Sequence, residues 1–361
     1  MRMDKSSFMK RKNRISPSEV QSIIVRGVNW VGDAVMTLPA LDALGKAFPH
    51  SSITVLAKPW VVPVYASHPS VSSIIEYHKS FTFLKGIKDI LKTGNSIKKS
   101  GFDMAFLFQN AIEAALLSFI GRCRIRAGYD TDGRGFLLTH PVHRTKNILK
   151  EHQTEYYLNI IRELGFEAES KHPVIHLSRE SIAKAESLLS IKDGPFIGFS
   201  PGAIYGEAKC WPVERFAKLG RMVLESGAKV ILFGSRSEKQ ICSAVNSFMD
   251  NRAIDLSGCT DLGTAMALIK DCSVFVSNDS GLMHVSAALD IPTVAIFGST
   301  NTKTTSPKGA KVNVISKNVD CAPCLKKKCP TDFRCMTNIE PEDVWSAVKL
   351  FAGEFINNNT K

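Results

Sequence analysis

Short β-branched runs recur along this chain, and most end in a turn that opens a helix-length segment. Ser22–Arg26, Ile53–Ala57 and Met104–Phe108 read as strands, with a helix over Val35–Ala47. After a break near Ser170–Asp193 the pattern restarts with strands Phe196–Phe199 and Lys229–Phe233 around a helix at Val213–Ser226. A helix near Glu238–Met249, strands Val274–Val276 and Thr293–Phe297, and a closing helix Pro341–Phe355 follow. Strands separated by helices make βαβ crossovers, and hence parallel sheets. Two such series predict an α/β protein of two Rossmann-like domains whose parallel sheets face one another across a cleft. The expected boundaries are a basic N-terminal arm over 1–21, a first domain over 22–175 and a linker over 176–194. A second domain over 195–340 and a C-terminal helix and tail over 341–361 complete the chain.

The 361 residues are 44% hydrophobic and 22% charged, which suits a globular protein with sizeable cores. No apolar run reaches the ~18 residues of a membrane span. Met1–Arg14 is basic and polar with no apolar stretch behind it, so it does not read as a secretory signal, and a cytoplasmic location is expected. Net charge is +12; residues 1–180 carry 25 lysines and arginines against 16 acids, the rest 21 against 18. A basic first half points to an anionic partner on that half. Sparse aromatics and the lack of a stacking or helix-turn-helix pattern argue against nucleic acid.

Four turns stand where ligands bind in open α/β sheets, at the carboxyl ends of strands. Arg26-Gly-Val-Asn-Trp-Val-Gly-Asp33 lets backbone approach a ligand at Gly27 and Gly32 and opens a helix with Asp33. It is not G-x-G-x-x-G, and no acid ends the second strand to hold a ribose, which disfavours NAD. Asp33 is either an ordinary first-turn acid or a general base for an acceptor hydroxyl. Ser200-Pro-Gly202 begins a loop that runs through Lys209 to Pro212; it is no Walker A loop, but Lys209 beside a helix N-terminus suits a diphosphate. Phe233-Gly-Ser-Arg-Ser-Glu238 offers Glu238 to a ribose or base, or as a helix-capping acid. Asn278-Asp279-Ser280-Gly281, leading to His284, joins a buried strand to a helix, either as a plain N-cap or as a phosphate site.

These segments resemble, in order, the motifs of the lipopolysaccharide heptosyltransferases, glycosyltransferase family 9, most of all its type II members. The residues concerned are Arg26–Ala40, Pro201-Gly-Ala, Ala208-Lys-Cys-Trp-Pro212, the Gly-Ser-x-x-Glu238 turn and Asn278–His284, and the likeness runs from about Ser22 to Phe351. The resemblance implies a GT-B enzyme that transfers L-glycero-D-manno-heptose from ADP-heptose to the first heptose of the Kdo-lipid A core, with inversion. It implies Asp33 as base, Lys209 on the diphosphate, and Glu238 on the nucleoside. Gly32, Ser200, Gly202, Asp279, Ser280, Gly281 and His284 would line the substrates. No divalent metal is implied, and the location becomes peripheral, at the inner face of the inner membrane, in transient contact with an anionic leaflet. The alternatives are type I or III acceptor specificity, or a non-catalytic nucleotide-binding assembly protein.

Several segments stand apart from these motifs. Gln109–Ala114 departs from the Asn-Ser-x-x-Ser-Ala common in relatives and is expected near the acceptor. Asp130-Thr-Asp132 is a D-x-D triplet, read here as a solvent loop. Cys321, Cys324, Cys329 and Cys335 fall within fifteen residues and could close around one zinc ion; without a second Cys-x2-Cys, the favoured reading is a metal-free family loop. Phe83–Lys92 reads as a core-packed helix with a solvated lysine face, or else as a helix resting on an anionic leaflet. Arg122, Arg124 and Arg126 are candidates for the acceptor's phosphates and carboxylates.

Overall fold

The computed structural model describes residues 15–80, 82–189 and 194–356. Most of the basic arm, 1–14, and the tail 357–361 lie outside the described residues. The chain divides into two compact units, Met1–Lys171 and His172–Lys361.

Unit 1 holds six strands: β1 Ser22–Arg26, β2 Ser52–Ala57, β3 Ser73–Glu76, β4 Met104–Leu107, β5 Ile125–Tyr129 and β6 His140–Val142. All pair in parallel, in the order β3-β2-β1-β4-β5-β6. Its helices of eight or more residues are α1 Val31–Ala47, α2 Phe83–Ser100, α3 Ile112–Ile120 and α4 Gln153–Glu163. Unit 2 repeats the plan with β7 Phe196–Ser200, β8 Lys229–Leu232, β9 Ile254–Asp255, β10 Val274–Asn278, β11 Thr293–Phe297 and β12 Val312–Ser316. Their order, β12-β11-β10-β7-β8-β9, is again all parallel. Its longer helices are α5 Arg179–Leu188, α6 Val213–Glu225, α7 Lys239–Ser247, α8 Leu262–Lys270, α9 Gly281–Ala288 and α10 Pro341–Ile356.

In each sheet the first strand sits centrally, and the chain winds outward from it in both directions. The switch points therefore lie between β1 and β4 in unit 1 and between β7 and β10 in unit 2. Loops there diverge and leave a crevice for a ligand. The central strands are buried from end to end, as β4 (Met-Ala-Phe-Leu) and β7 (Phe-Ile-Gly-Phe-Ser) show, because helices cover both faces of a parallel sheet. The unit 2 core gathers Ile197, Phe199, Leu232 and Val276 from the sheet with Phe216 and Val223 of α6 and Val344 and Val348 of α10. Trp211, fully buried, anchors the start of α6 and donates its indole N–H to Ile339 at 3.0 Å. Truncating a side chain of that size in a packed core costs about 3–5 kcal/mol.

Three sequence expectations change. The stretch read as a linker contains α5, which is capped by Ser178 accepting from the Ser181 N–H and packs on α8. Ser-Arg-Glu-Ser is a helix start, and the polar composition of that helix resembles a linker. Strands β3, β5, β6, β9 and β12 went unread, and none of them is buried from end to end. Helix α2 is rotated against expectation: Phe83, Leu84, Ile87 and Leu91 are exposed, while Gly86, Gly94 and Ile97 are buried.

Candidate active site

In unit 2 the β7 and β10 loops meet at the switch point. Asn278, with no exposed surface, ends β10 and fastens both loops: its Nδ2 donates to the Pro201 carbonyl at 2.7 Å, and its Oδ1 accepts from the Trp211 N–H at 3.0 Å. The Ser200–Pro212 loop is thereby held at each end beside β10. Lys209, in a single 3-10 turn, places its ammonium 2.6 Å from the Asp279 carboxylate, with side-chain exposures of only 14% and 6%. Asp279 also accepts from the Thr300 hydroxyl. Ser280 caps α9 in extended conformation, its hydroxyl 3.0 Å from that of Ser277, so the first N–H groups of α9 have no side-chain acceptor from the cap. Gly281 begins that helix, and His284 lies buried within it. Lys209, Asp279, Ser280 and the α9 N-terminus thus form one polar cluster.

Three further residues join this cluster that the sequence did not single out: Tyr205, Lys327 and Thr300. Lys209 and Lys327 stand over the Tyr205 ring, at 4.9 and 5.5 Å from its centroid. The Lys327 carbonyl accepts from Ala208, and a Cβ on Gly206 would lie 2.3 Å from that carbonyl oxygen. This close approach is the structural reason for Gly206. Thr300 was legible only as a hydroxyl following the carboxyl end of β11.

Glu238 is used locally. With Ser235 it forms a capping box, its Oε2 accepting from the Ser235 N–H at 2.8 Å and the Ser235 hydroxyl at 2.7 Å. Its other oxygen sits against Gly202, where a Cβ would come within 2.3 Å. Gly202 therefore carries no side chain because Glu238 occupies that space, and the β7 and β8 turns touch there. Ser200 is buried at the end of β7.

In unit 1 the turn after β1 packs Gly27 on Tyr65, and the first turn of α1 holds buried Gly32 and half-buried Asp33. Burial pushes the Tyr65 phenol up to about 12 and that of Tyr157 well above its usual range, and in both the Asp33 carboxylate adds to the effect. The Asp33 carboxylate thus acts electrostatically on two buried phenols. Beside this turn, Phe108 and Gln109 donate backbone N–H groups to the Arg26 carbonyl. The Gln109–Ala111 loop is bracketed by Arg134, fully buried, which donates to the Gln109, Ala111 and Tyr129 carbonyls and to Asn110 Oδ1. Burial lowers the Arg134 guanidinium to about 10.

A cationic cluster the sequence reading missed also sits in this unit. Arg26, nine-tenths buried or more, stacks 5.0 Å from the Tyr77 ring centroid and bonds Asn29 Oδ1 at 3.0 Å. Lys58 lies 4.4 Å from the same ring, and burial followed by the Arg26 charge lowers its pKa. Lys79 pairs with Glu113. Nothing in the spacing of these residues linked them; the parallel register brings them together.

Other candidates are not part of either cluster. Arg122 and Arg124 lead into β5, at the amino edge of its sheet, opposite the Asp33 turn; Arg124 is paired with Glu19. Arg126 turns to the Leu137 and Cys123 carbonyls. Arg122 and Arg124 thus stand on the α3–β5 connection along that opposite edge, whereas Arg126 lies within β5. In the D-x-D triplet, Asp130 accepts from the His143 ring at 3.0 Å and the Arg144 N–H, while Asp132 is an exposed turn residue at φ 55°. Burial, and after it the charges of Cys321, Cys329 and Cys324, raise the Cys335 thiol. Among the described residues no group of three or more His, Cys, Asp or Glu side chains is arranged to hold a metal ion.

The doubly wound units, with a polar cluster at the unit 2 switch point, define a class of ligand-binding α/β protein, and comparison with known proteins supplies the family. Residues 90–333 match glycosyltransferase family 9 (heptosyltransferase). The chain is 32% identical over 320 residues to lipooligosaccharide heptosyltransferase 2 of Haemophilus ducreyi, covering 81% of this chain and 88% of that one. It is 30% identical over 308 residues to lipopolysaccharide heptosyltransferase 2 of Escherichia coli, covering 81% and 87%. The solved E. coli ADP-heptose LPS heptosyltransferase II superimposes with a TM-score of 0.79 at 27% identity, covering 92% of this chain and 99% of that one. This chain belongs to glycosyltransferase family 9, and it is a glycosyltransferase with the GT-B type of α/β fold.

Proposed function

We propose that this glycosyltransferase moves L-glycero-D-manno-heptose from ADP-heptose to the first heptose of the Kdo-lipid A inner core, with inversion, in lipopolysaccharide synthesis. The observation that carries the reading is the buried Lys209–Asp279 pair beside the open N-terminus of α9. A fixed cation and free helix N–H groups are what a departing diphosphate needs. Relatives named as heptosyltransferase 2 support the sugar and the acceptor class.

In this reading Asp33 takes the proton from the acceptor hydroxyl as its oxygen bonds to the anomeric carbon. The bond from that carbon to the β-phosphate oxygen breaks, and ADP leaves with the electron pair. Lys209 and the Asp279–Gly281 turn stabilise the charge on ADP, and Ser200, Gly202, Glu238 and His284 line the nucleotide sugar. The reaction as written calls for no divalent metal. The Gln109–Ala111 loop braced by Arg134 is the part of unit 1 suited to reading the acceptor. Because that acceptor is a lipid, the enzyme works peripherally at the inner face of the inner membrane. No described helix is long and apolar enough to cross one.

The test is transfer from ADP-heptose to defined Kdo-lipid A acceptors carrying or lacking the first heptose. Product only with the heptosylated acceptor is expected; product only with the unheptosylated one contradicts the assigned acceptor, and no product with either contradicts the function.

A further inference from the structure

We propose that the outward face of α2 is the surface with which the enzyme rests on an anionic lipid leaflet, an inference that builds on the lipid-acceptor reading above. The rotation of α2 is fixed by two reciprocal notches against α3. A Cβ on Gly94 would lie 2.6 Å from Ile120 Cγ2, and one on Gly121 would lie 2.4 Å from Ile97 Cγ2. With these contacts inward, the helical repeat turns Leu84, Ile87 and Leu91 to the outside, one above the other. They are 73%, 41% and 47% exposed, and Phe83 at the same end is 80% exposed. A globular helix normally points such a stripe at its core.

The charge on this helix identifies the partner. Lys85, Lys88, Lys92 and Lys99 form the row next to the apolar stripe, and all are exposed. No ion pair engages them among the described residues. The only acid of the helix, Asp89, accepts from the Ser80 N–H at 2.8 Å. An ordinary solvated helix intersperses acids with its lysines; an apolar strip bordered by unpaired lysines matches acyl chains beneath anionic headgroups. Placement agrees, because α2 starts after the carboxyl end of β3. Phe83 and Leu84 therefore lie toward the sheet edge that carries the Arg26–Asp33 turn.

The experiment is co-sedimentation of the full chain with vesicles of phosphatidylcholine alone or mixed equally with phosphatidylglycerol. Wild type is compared with L84Q/I87Q/L91Q and with K85E/K88E/K92E, and light scattering reports oligomeric state. Wild type should bind the mixed vesicles selectively, and each variant should lose about tenfold or more in partitioning, since each lysine near an anionic surface is worth roughly fivefold. Wild-type binding by both variants, or equal binding to neutral vesicles, overturns the proposal. So does a dimer that the glutamine variant dissociates without loss of vesicle binding, because a second copy then covers the face. Both variants should transfer to a deacylated, water-soluble acceptor at the wild-type rate. If wild type itself fails there, the transfer reading falls, while the vesicle result still decides the lipid surface.

Discussion

The Lys209 ammonium lies 2.6 Å from the Asp279 carboxylate, two charges largely withdrawn from water at the switch point of the second sheet. Their attraction offsets a desolvation cost of several kcal/mol per ion, so neither is well tolerated without the other. Asp279 holds Lys209 beside the α9 N-terminus, so in the proposed reaction an arriving diphosphate would share the cation rather than having to recruit it.

Removing one charge should therefore cost more than removing both. Lys209→Met is expected to lose about 3 kcal/mol of stability and at least tenfold in ADP affinity. Lys209→Met with Asp279→Leu should recover part of the stability and none of the affinity. Urea denaturation and calorimetric ADP titration read the two quantities. A double variant less stable than the single one contradicts the coupling.

Gly202 and Glu238 make a second test. A methyl group at 202 would meet the Glu238 carboxylate at 2.3 Å and displace it from the Ser235 N–H and hydroxyl. Gly202→Ala should cost about 1 kcal/mol through the lost cap and weaken ADP binding. Combining it with Glu238→Ala should relieve the clash, so that the two stability losses are less than additive. Strict additivity would show that the two turns do not touch.

Much of this arrangement is legible in the sequence. The turns after β1, β7, β8 and β10 combine short apolar runs with glycine, acid and hydroxyl residues, and those local patterns survive folding. What was hidden depends on register. Arg26, Lys58, Tyr77 and Glu113 converge only because β3, β2, β1 and β4 lie side by side, and the bond from Asn278 to Pro201 spans 77 positions. The orientation of α2 was hidden for a related reason. Its hydrophobic periodicity marks an amphipathic helix but does not say which face is inward, and Gly94 and Ile97 decide that by their fit to Ile120 and Gly121. Helix α5 does not stand out from the stretch read as a linker, since a polar helix and a polar connection are alike in residue content.

The cysteines should separate by reactivity. Burial pushes the Cys123 and Cys210 thiols up to about 11 and Cys242 up to about 12, whereas hydrogen bonds from the Thr331 hydroxyl and backbone lower Cys329. A lowered pKa means more thiolate at a given pH, and thiolate is the nucleophile. Iodoacetamide at neutral pH should modify Cys329 well before Cys123 or Cys242. Its rate should level off at a lower pH than a free thiol's, which peptide mapping across a pH series would record. A Cys329 profile that rises as late as an ordinary thiol's contradicts the assignment.

In the proposed reaction Asp33 supplies the base for heptosyl transfer while unit 2 holds ADP. The most direct measurement compares wild type with Asp33→Asn for ADP binding and for heptose transfer from ADP-heptose to the heptosylated Kdo-lipid A acceptor. General-base catalysis is worth about 10²–10⁴-fold, so the variant should lose about that much in kcat while ADP affinity stays unchanged. Transfer at the wild-type rate by Asp33→Asn would show that Asp33 is not the base.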